Sequence, residues 1–350
     1  MAYSNIKDPS EHFNTVLYTG DGTADQSITG LGFQPDFLWI KRRNASERHV
    51  LTSTQMVQAD GAYKWIDCSD TAGQFAGGTG VASFDSDGFS IKTSDSTWNA
   101  SGSTYALWGW KANGGTTSSN TDGDVTSTVQ VNQDAGFSII TDGAHANTNA
   151  RTIGHGLGKK PTFIIRFNLT RVENKPVFFK GYGTGYGGTN IDNEGTWHTS
   201  TTAIYTDNFT SSVFSVGTDF RINGGYPYIT YCFTDVQGFS KSGSYTGNGN
   251  IDGPFVYTGF KPAWIIIKAN SNYKYWNIYD NKRDPFNSAS KRLAPSIQGA
   301  EDTQDGIDFL SNGFKIRNNG TTLNESGTTI AYMAFAENPF VAGGVPTTAR

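Results

Sequence analysis

A three-part phrase recurs along the chain in fixed order, and it constrains the fold more than any other feature. Each copy has a proline-led apolar strand, a short apolar strand usually entered through a Gly-Phe turn, and an aromatic closing strand. The first copy reads GFQPDFLWIK (Gly32 to Lys41), SDGFSI (Ser86 to Ile91) and TYALWGW (Thr104 to Trp110). The second reads GKKPTFIIRF (Gly158 to Phe167), SVFSV (Ser212 to Val216) and PYITYCF (Pro227 to Phe233). The third reads GFKPAWIIIK (Gly259 to Lys268), SNGFKI (Ser311 to Ile316) and TIAYMAF (Thr329 to Phe335). The lead prolines Pro35, Pro161 and Pro262 are spaced by about the length of one ordinary domain, too far for a solenoid repeat. Three tandem globular modules follow.

Neighbouring side chains on a strand point to opposite faces, so unbroken runs such as Phe37-Leu38-Trp39-Ile40 and Trp264-Ile265-Ile266-Ile267 require cover on both sides. A proline fits at the first residue of such a strand, where no ladder donor is lost. In each closing strand a small residue stands beside a large one: Gly109-Trp110, Cys232-Phe233, Ala334-Phe335. With 42 glycines and 3 methionines among 350 residues, the composition favours sheets and turns over helices. The expected fold class is all-β: three tandem β-sandwich modules of jelly-roll-like form. About 100 residues per copy is enough for each to stand alone, although the copies could instead be pieces of one larger closed structure.

The expected boundaries are a first module over 1–115 after a short N-terminal arm, a flexible linker over 116–124, a second module over 125–237, a third over 238–342 and a flexible tail over 343–350. The linker is rich in Gly, Ser, Thr and Asn, which predicts that the first module swings. The junction from Phe233 to Tyr245 has little slack, and its Phe239 falls where Phe13 and Phe137 stand in the sister copies, so the third module is expected to dock rigidly on the second.

A net charge of −4 with scattered Lys and Arg leaves no basic footprint for nucleic acid or anionic membrane. No run approaches the length of a membrane span, and the polar start MAYSNIKDPSEHF carries no apolar signal core. Cys232 takes the place of Gly109 and Ala334, which marks a buried packing thiol, and Cys68 has no partner at recognisable spacing. None of the five histidines, His12, His49, His145, His155 and His198, forms a metal-spaced pair. His155, set against Leu31 of the first copy, reads as a turn or packing residue. Asp85-Ser86-Asp87-Gly88 resembles the start of a calcium loop, but its third-module counterpart, Leu310-Ser311-Asn312-Gly313, keeps only the turn. The acid pairs Asp302 with Asp305 and Asp192 with Glu194 have no distinguishing spacing. No catalytic, cofactor-binding or metal-ligating residue is assigned, and the chain is read as non-enzymatic. Exposed rings in loops remain as candidates for contact with a glycan: Tyr182, Tyr186, Trp197, Tyr63, Trp65, Trp98, Tyr273 and Trp276, with the Gly/Tyr loop GYGTGYGG first among them.

The strings YTGDGTADQSITGLGFQPDFLWIK, FDSDGF, YALWGWKANGG, SGSYTGNGNIDGPFVYTGFKPAWIIIK, WNIYDNKRDPFN, DFLSNGFKIR and AYMAFAENPF resemble a family of virion proteins from bacteriophages of marine and freshwater bacteria. The resemblance runs from about Phe13 to Phe340. It implies an uncharacterised domain of tail-fibre or other structural proteins, a lectin-like sandwich, and no catalytic residues to carry over. The expected function is then a virion structural protein, either a capsid decoration or head fibre or a tail-fibre or tail-associated protein. It would be assembled in the host cytoplasm without a signal peptide. Its expected partners are other virion proteins and further copies of itself, a trimer being favoured. The alternatives are an adhesin for cell-surface glycan and, last, a polysaccharide depolymerase.

Overall fold

The protein is described from a computed structural model over residues 4–339, except 59–60, 76–77, 79, 147, 181–187, 196–203, 207, 220 and 272, together with 341–342 and 345–346. Strands take about 45% of the chain and helix about 2%, so the fold is all β. The first module contains β1 (Phe13–Thr19), β2 (Gln26–Thr29), β3 (Phe37–Arg42), β4 (His49–Ser53), β5 (Ile66–Asp67), β6 (Val81–Asp85), β7 (Gly88–Ile91) and β8 (Thr104–Trp110). Its main sheet has the order β1-β8-β3-β4-β5 and its second sheet the order β2-β7-β6. The second module contains β9 (Ser118–Asn120), β10 (Ser127–Asn132), β11 (Phe137–Asp142), β12 (Arg151–Gly154), β13 (Phe163–Asn168), β14 (Pro176–Phe179), β15 (Gly188–Asn190), β16 (Val213–Val216) and β17 (Tyr228–Phe233). These form β15-β14-β13-β17-β11-β10-β9 and the pair β12-β16. The third contains β18 (Ser240–Thr246), β19 (Phe255–Tyr257), β20 (Phe260–Ala269), β21 (Asn277–Asp280), β22 (Ala289–Arg292), β23 (Asp302–Leu310), β24 (Gly313–Ile316) and β25 (Thr329–Pro339), arranged as β18-β25-β20-β21 and β19-β24-β23-β22.

The same antiparallel block therefore stands in each copy: β1-β8-β3-β4, β11-β17-β13-β14 and β18-β25-β20-β21. Lead and closing strands lie side by side in the middle of each main sheet. Pro35 and Pro161 stand just before their strands, whereas Pro262 lies inside β20, where the register with β25 shifts around it. A bulge accommodates the missing donor.

Alternation along these strands sorts side chains between two kinds of core. Leu38, Ile40, Tyr105 and Leu107 face the first module's own second sheet; Ile164, Phe178 and Cys232 do so in the second, and Ile265, Ile267, Tyr332 and Ala334 in the third. The opposite faces all meet in a single central core. Phe37, Trp39, Trp108 and Trp110 join Phe163, Ile165, Tyr231 and Phe233, and also Trp264, Ile266, Met333 and Phe335. Trp110, Phe233 and Phe335 hold the equivalent place at the end of the three closing strands. Their rings form a triangle with centroid separations of 6.2, 5.8 and 5.7 Å. The three main sheets thus surround a pseudo-threefold axis, and Ile6 of the N-terminal arm is buried in the same core.

This arrangement corrects the expected linker. Residues 118–120 form β9 and pair with Ser127–Val129, while the amides of Ala112, Gly114 and Gly115 donate to the buried Asp36 carboxylate at 2.7, 2.9 and 2.6 Å. The first module is packed against the other two, its inner face being part of the shared core. Phe239 is also one place from its expected position. Ser240 pairs with Phe335, as Phe13 pairs with Trp110, and the Phe239 ring packs 5.7 Å from Phe335. Leu157, four residues before its lead proline as Leu31 is, fills the packing position ascribed to His155, and both leucines are buried.

Small residues in the closing strands are set by the second layer. A Cβ on Gly109 would stand 3.0 Å from the Leu31 side chain, so a larger residue there would require Leu31 to move aside. One feature of all three copies escapes simple pattern reading. Asn99, Asn223 and Asn324 each lie five residues before the closing strand, fully buried. Asn99 Nδ2 donates to Asp21 and Thr23, and Asn324 Nδ2 donates to Asn248, Asn250 and Asn318. Asn223 Nδ2 donates to carbonyls of Thr148, Asn149 and Gly217. A buried amide with every donor used fastens the opening loop of each copy to its closing strand.

Candidate functional site

Buried charged groups lie mainly at the seams between modules and in module cores, bonded to protein rather than aimed into a cleft. Between modules one and three, Trp108 Nε1 donates to Asp280 at 3.1 Å, and Asp280 pairs with the buried Arg283 at 2.5 Å. Arg43 and Arg283 both reach Glu301, at 2.8 and 3.1 Å. His49 is wholly buried there, and burial, with Lys41 and Arg283 nearby, holds its pKa well below the usual imidazole value. Burial also raises Asp67 and Asp192 and lowers Lys175 at the seam between modules one and two.

Each seam is closed by a buried lysine that donates to main-chain carbonyls of the neighbouring module. Lys41 of module one reaches Gln298 O of module three at 3.4 Å, and Lys175 of module two reaches Ala72 O and Asp70 O of module one. Lys268 of module three reaches Glu194 O of module two at 3.4 Å. The contacts run head to tail and close on themselves, as in a cyclic oligomer. Burial lowers the pKa of both Lys41 and Lys268 to about 8.

Four of the carboxylates considered for metal or catalysis, Asp85, Asp87, Asp192 and Asp302, are bonded within the protein. Asp87 accepts the amides of Gly30 and Gly32 at 3.1 and 2.6 Å, and Asp85 accepts the hydroxyls of Ser83 and Ser90. The following glycine is dictated by sterics: a Cβ on Gly88 would lie 1.9 Å from Ile28 O, and one on Gly313 would lie 2.1 Å from Val256 O. Asp192 accepts the Lys175 amide, and Asp302 pairs with Arg292. Cys232 is buried in its sandwich core and Cys68 at the seam, 3.7 Å from Pro295 O; burial raises both thiols well above the usual range. Among the described residues no three His, Cys, Asp or Glu side chains converge on a metal position, and no helix is long and apolar enough to cross a membrane.

Of the rings proposed for glycan contact, Tyr182, Tyr186 and Trp197 lie outside the described residues, as does His198. Trp65, Trp98 and Trp276 are packing residues, which corrects the expectation for them. Trp65 stacks on Phe75 at 4.1 Å and meets Trp98 edge-on, while Trp276 sits in the seam with its Nε1 donating to Asn190 O at 3.0 Å. Tyr63 is half-buried against Phe84. Tyr273 alone of the described candidates projects freely, 82% exposed, with a φ of 60° that an aromatic residue seldom adopts.

Two further rings were not among those candidates. Phe255 and Tyr257, on the edge strand β19, are 46% and 50% exposed, while Val256 between them packs inward. Register relates this strand to β2 and β12: Val256 pairs with Phe314 as Ile28 pairs with Phe89 and Ile153 with Phe214. Phe255 and Tyr257 therefore match Ser27 and Thr29 in the first module and Thr152 and Gly154 in the second. Only the third copy places aromatics at these outward positions, a contrast visible in the sequence once the repeats are aligned on the buried central residue. Elsewhere, a polar cleft of about 390 Å³ opens between the N-terminal arm at Ser4 and Asn5 and the second module at Asp134, Lys159 and Gln237.

Residues 8–339 match a family model described as a domain of unknown function, DUF7483. No curated protein matches the chain.

Proposed function

This chain belongs to the DUF7483 family, and from that premise we propose that it is a non-enzymatic structural protein of a bacteriophage virion, displayed on the particle surface. The place would be a capsid decoration or head fibre, or a tail fibre or tail-associated position. The observation that carries this reading is the shared central core. Three sandwich modules are fused around an aromatic axis, and buried ion pairs and lysines fasten the seams between them. Such a body suits display: it is rigid and fastened internally. The likeness of its sequence strings to phage virion proteins supplies the setting. The favoured trimer takes a specific form here, because the inner faces are already closed by modules of one chain, so a homo-oligomer would be built from outer sheets and loops.

Particles purified from lysates of the host that carries this gene provide the test. The chain is expected in stoichiometric amount by mass spectrometry, at a symmetric surface position in electron cryomicroscopy. Particles that lack it would overturn the reading.

A further inference from the structure

We infer that the outward face of β19 in the third module is a carbohydrate-binding strip that takes a saccharide bearing carboxylate groups. The inference does not depend on a place in a virion. Three copies of one scaffold supply an internal control: what all three share is explained by folding, and Phe255 and Tyr257 are not shared. Side chains two apart on a strand project from one face about 7 Å apart. A pyranose presents a flat C–H face that packs on such a ring, while its hydroxyl and carboxylate groups need donors beside the ring.

Those donors are present. Lys241 lies 5.2 Å from the Tyr257 ring centroid and is fixed by a 2.8 Å hydrogen bond to Tyr257 O. The charged group that acts on it is the half-buried Asp235 at the entry to its module, with which it makes no direct ion pair among the described residues. Lys315, directly across the ladder from Phe255, pairs with the exposed Asp252 at 2.8 Å, and Ile251 beside it is 70% exposed. A strip of two half-exposed rings interleaved with charges is too small and too polar for a stable protein interface, which buries about 800 Å² per partner. The ammonium of Lys241 selects an acidic over a neutral sugar.

Affinity electrophoresis of the full chain through gels containing alginate, a polyuronate, or dextran, a neutral glucan, tests this. The native chain should be retarded by alginate and less by dextran. Phe255→Ser with Tyr257→Thr installs the first module's own residues at these positions. It should keep the native melting temperature and lose at least ten-fold in alginate affinity. Lys241→Gln should remove the preference for alginate while retaining the dextran interaction, and Tyr273→Ser should change neither. Lack of retardation of the native chain, or undiminished retardation of the double variant, would overturn the proposal. So would concentration-dependent self-association in ultracentrifugation that the double variant abolishes, since the strip would then be a contact between copies.

Discussion

Each main sheet has two buried faces, and the contrast between them explains how this molecule is organised. The outer faces close private cores, aliphatic in large part, as with Leu38, Ile40, Val50 and Leu107 in the first module. The inner faces close the common core with large rings: Phe37, Trp39, Trp108, Trp110, Phe163, Tyr231, Phe233, Trp264 and Phe335. The private cores resemble those of any sandwich domain. The common core resembles an obligate interface, in which aromatic residues fill the space between independently shaped bodies. An unbroken apolar run therefore has two separate causes here, one on each side of the strand.

The contrast is broken most severely at the axis. Trp110→Ala removes one corner of the aromatic triangle and should cost about 3–5 kcal/mol, a range typical of a buried large ring. Chemical denaturation should show the loss, and hydrogen exchange should show it in β17 and β25 as well as in β8. Leu38→Ala, on the private face, should cost about 2–5 kcal/mol with weakened protection chiefly in the first module.

Two buried ion pairs sharpen the same contrast. Asp280 serves Arg283 and Trp108 at a seam, whereas Asp142 serves Arg166 inside the second module, with Arg166 bonded bidentately at 2.6 and 2.8 Å. Removing Asp142 strands the buried Arg166 guanidinium and should cost about 3–5 kcal/mol, whereas removing Asp280 leaves Arg283 its pairing with Glu301 and should cost less. Asp280→Ala should loosen modules one and three together, and Asp142→Ala should act within module two. Tryptophan fluorescence distinguishes them, because Trp39, Trp108, Trp110 and Trp264 cluster at the first of these seams.

A smaller effect is expected with acid. Burial lowers His155 from 6.5 to about 4, and His49 moves in the same direction. The unfolded chain therefore binds more protons between those values. The contribution to stability is complete above about pH 6.5 and is lost as pH falls toward about 4. For His155 the full window corresponds to about 3 kcal/mol. His155→Gln should flatten that part of the stability profile measured by thermal melting.

Each seam lysine gives a change of about the same size as His155, with alkaline character. Lys41 and Lys268 have folded values of about 8 against 10.5 when free, so the penalty for burying their charge applies in full below pH 8 and disappears as pH rises toward 10.5. The stability difference between the native chain and Lys41→Met should shift in favour of the native chain over that interval. A difference independent of pH would mean that Lys41 is not buried in the seam.

Much of the scaffold was legible in the residues. Lead and closing strands, the hairpin at Asp85–Gly88, and the small-residue sites Gly109, Cys232 and Ala334 follow from alternation and sterics, which act locally. The second cover of Trp39, Tyr231 and Ile266 was not legible, because a buried face does not say whether its partner is the same module or another. The Gly- and Ser-rich stretch after Ala112 looked free for a related reason: its order comes from Asp36, far away in sequence. The aromatic candidates failed at Trp65, Trp98 and Trp276 because a ring outside a shared strand is as readily packing as platform. Phe255 and Tyr257 were missed because the strand that carries them lies outside the three segments by which the copies were aligned.

The most direct test of the common core is denaturant unfolding of the intact chain followed by residue-resolved hydrogen exchange in all three closing strands. A shared core predicts that β8, β17 and β25 lose protection in a single coincident transition. Separate transitions, with the first module unfolding while β17 and β25 remain protected, would contradict it.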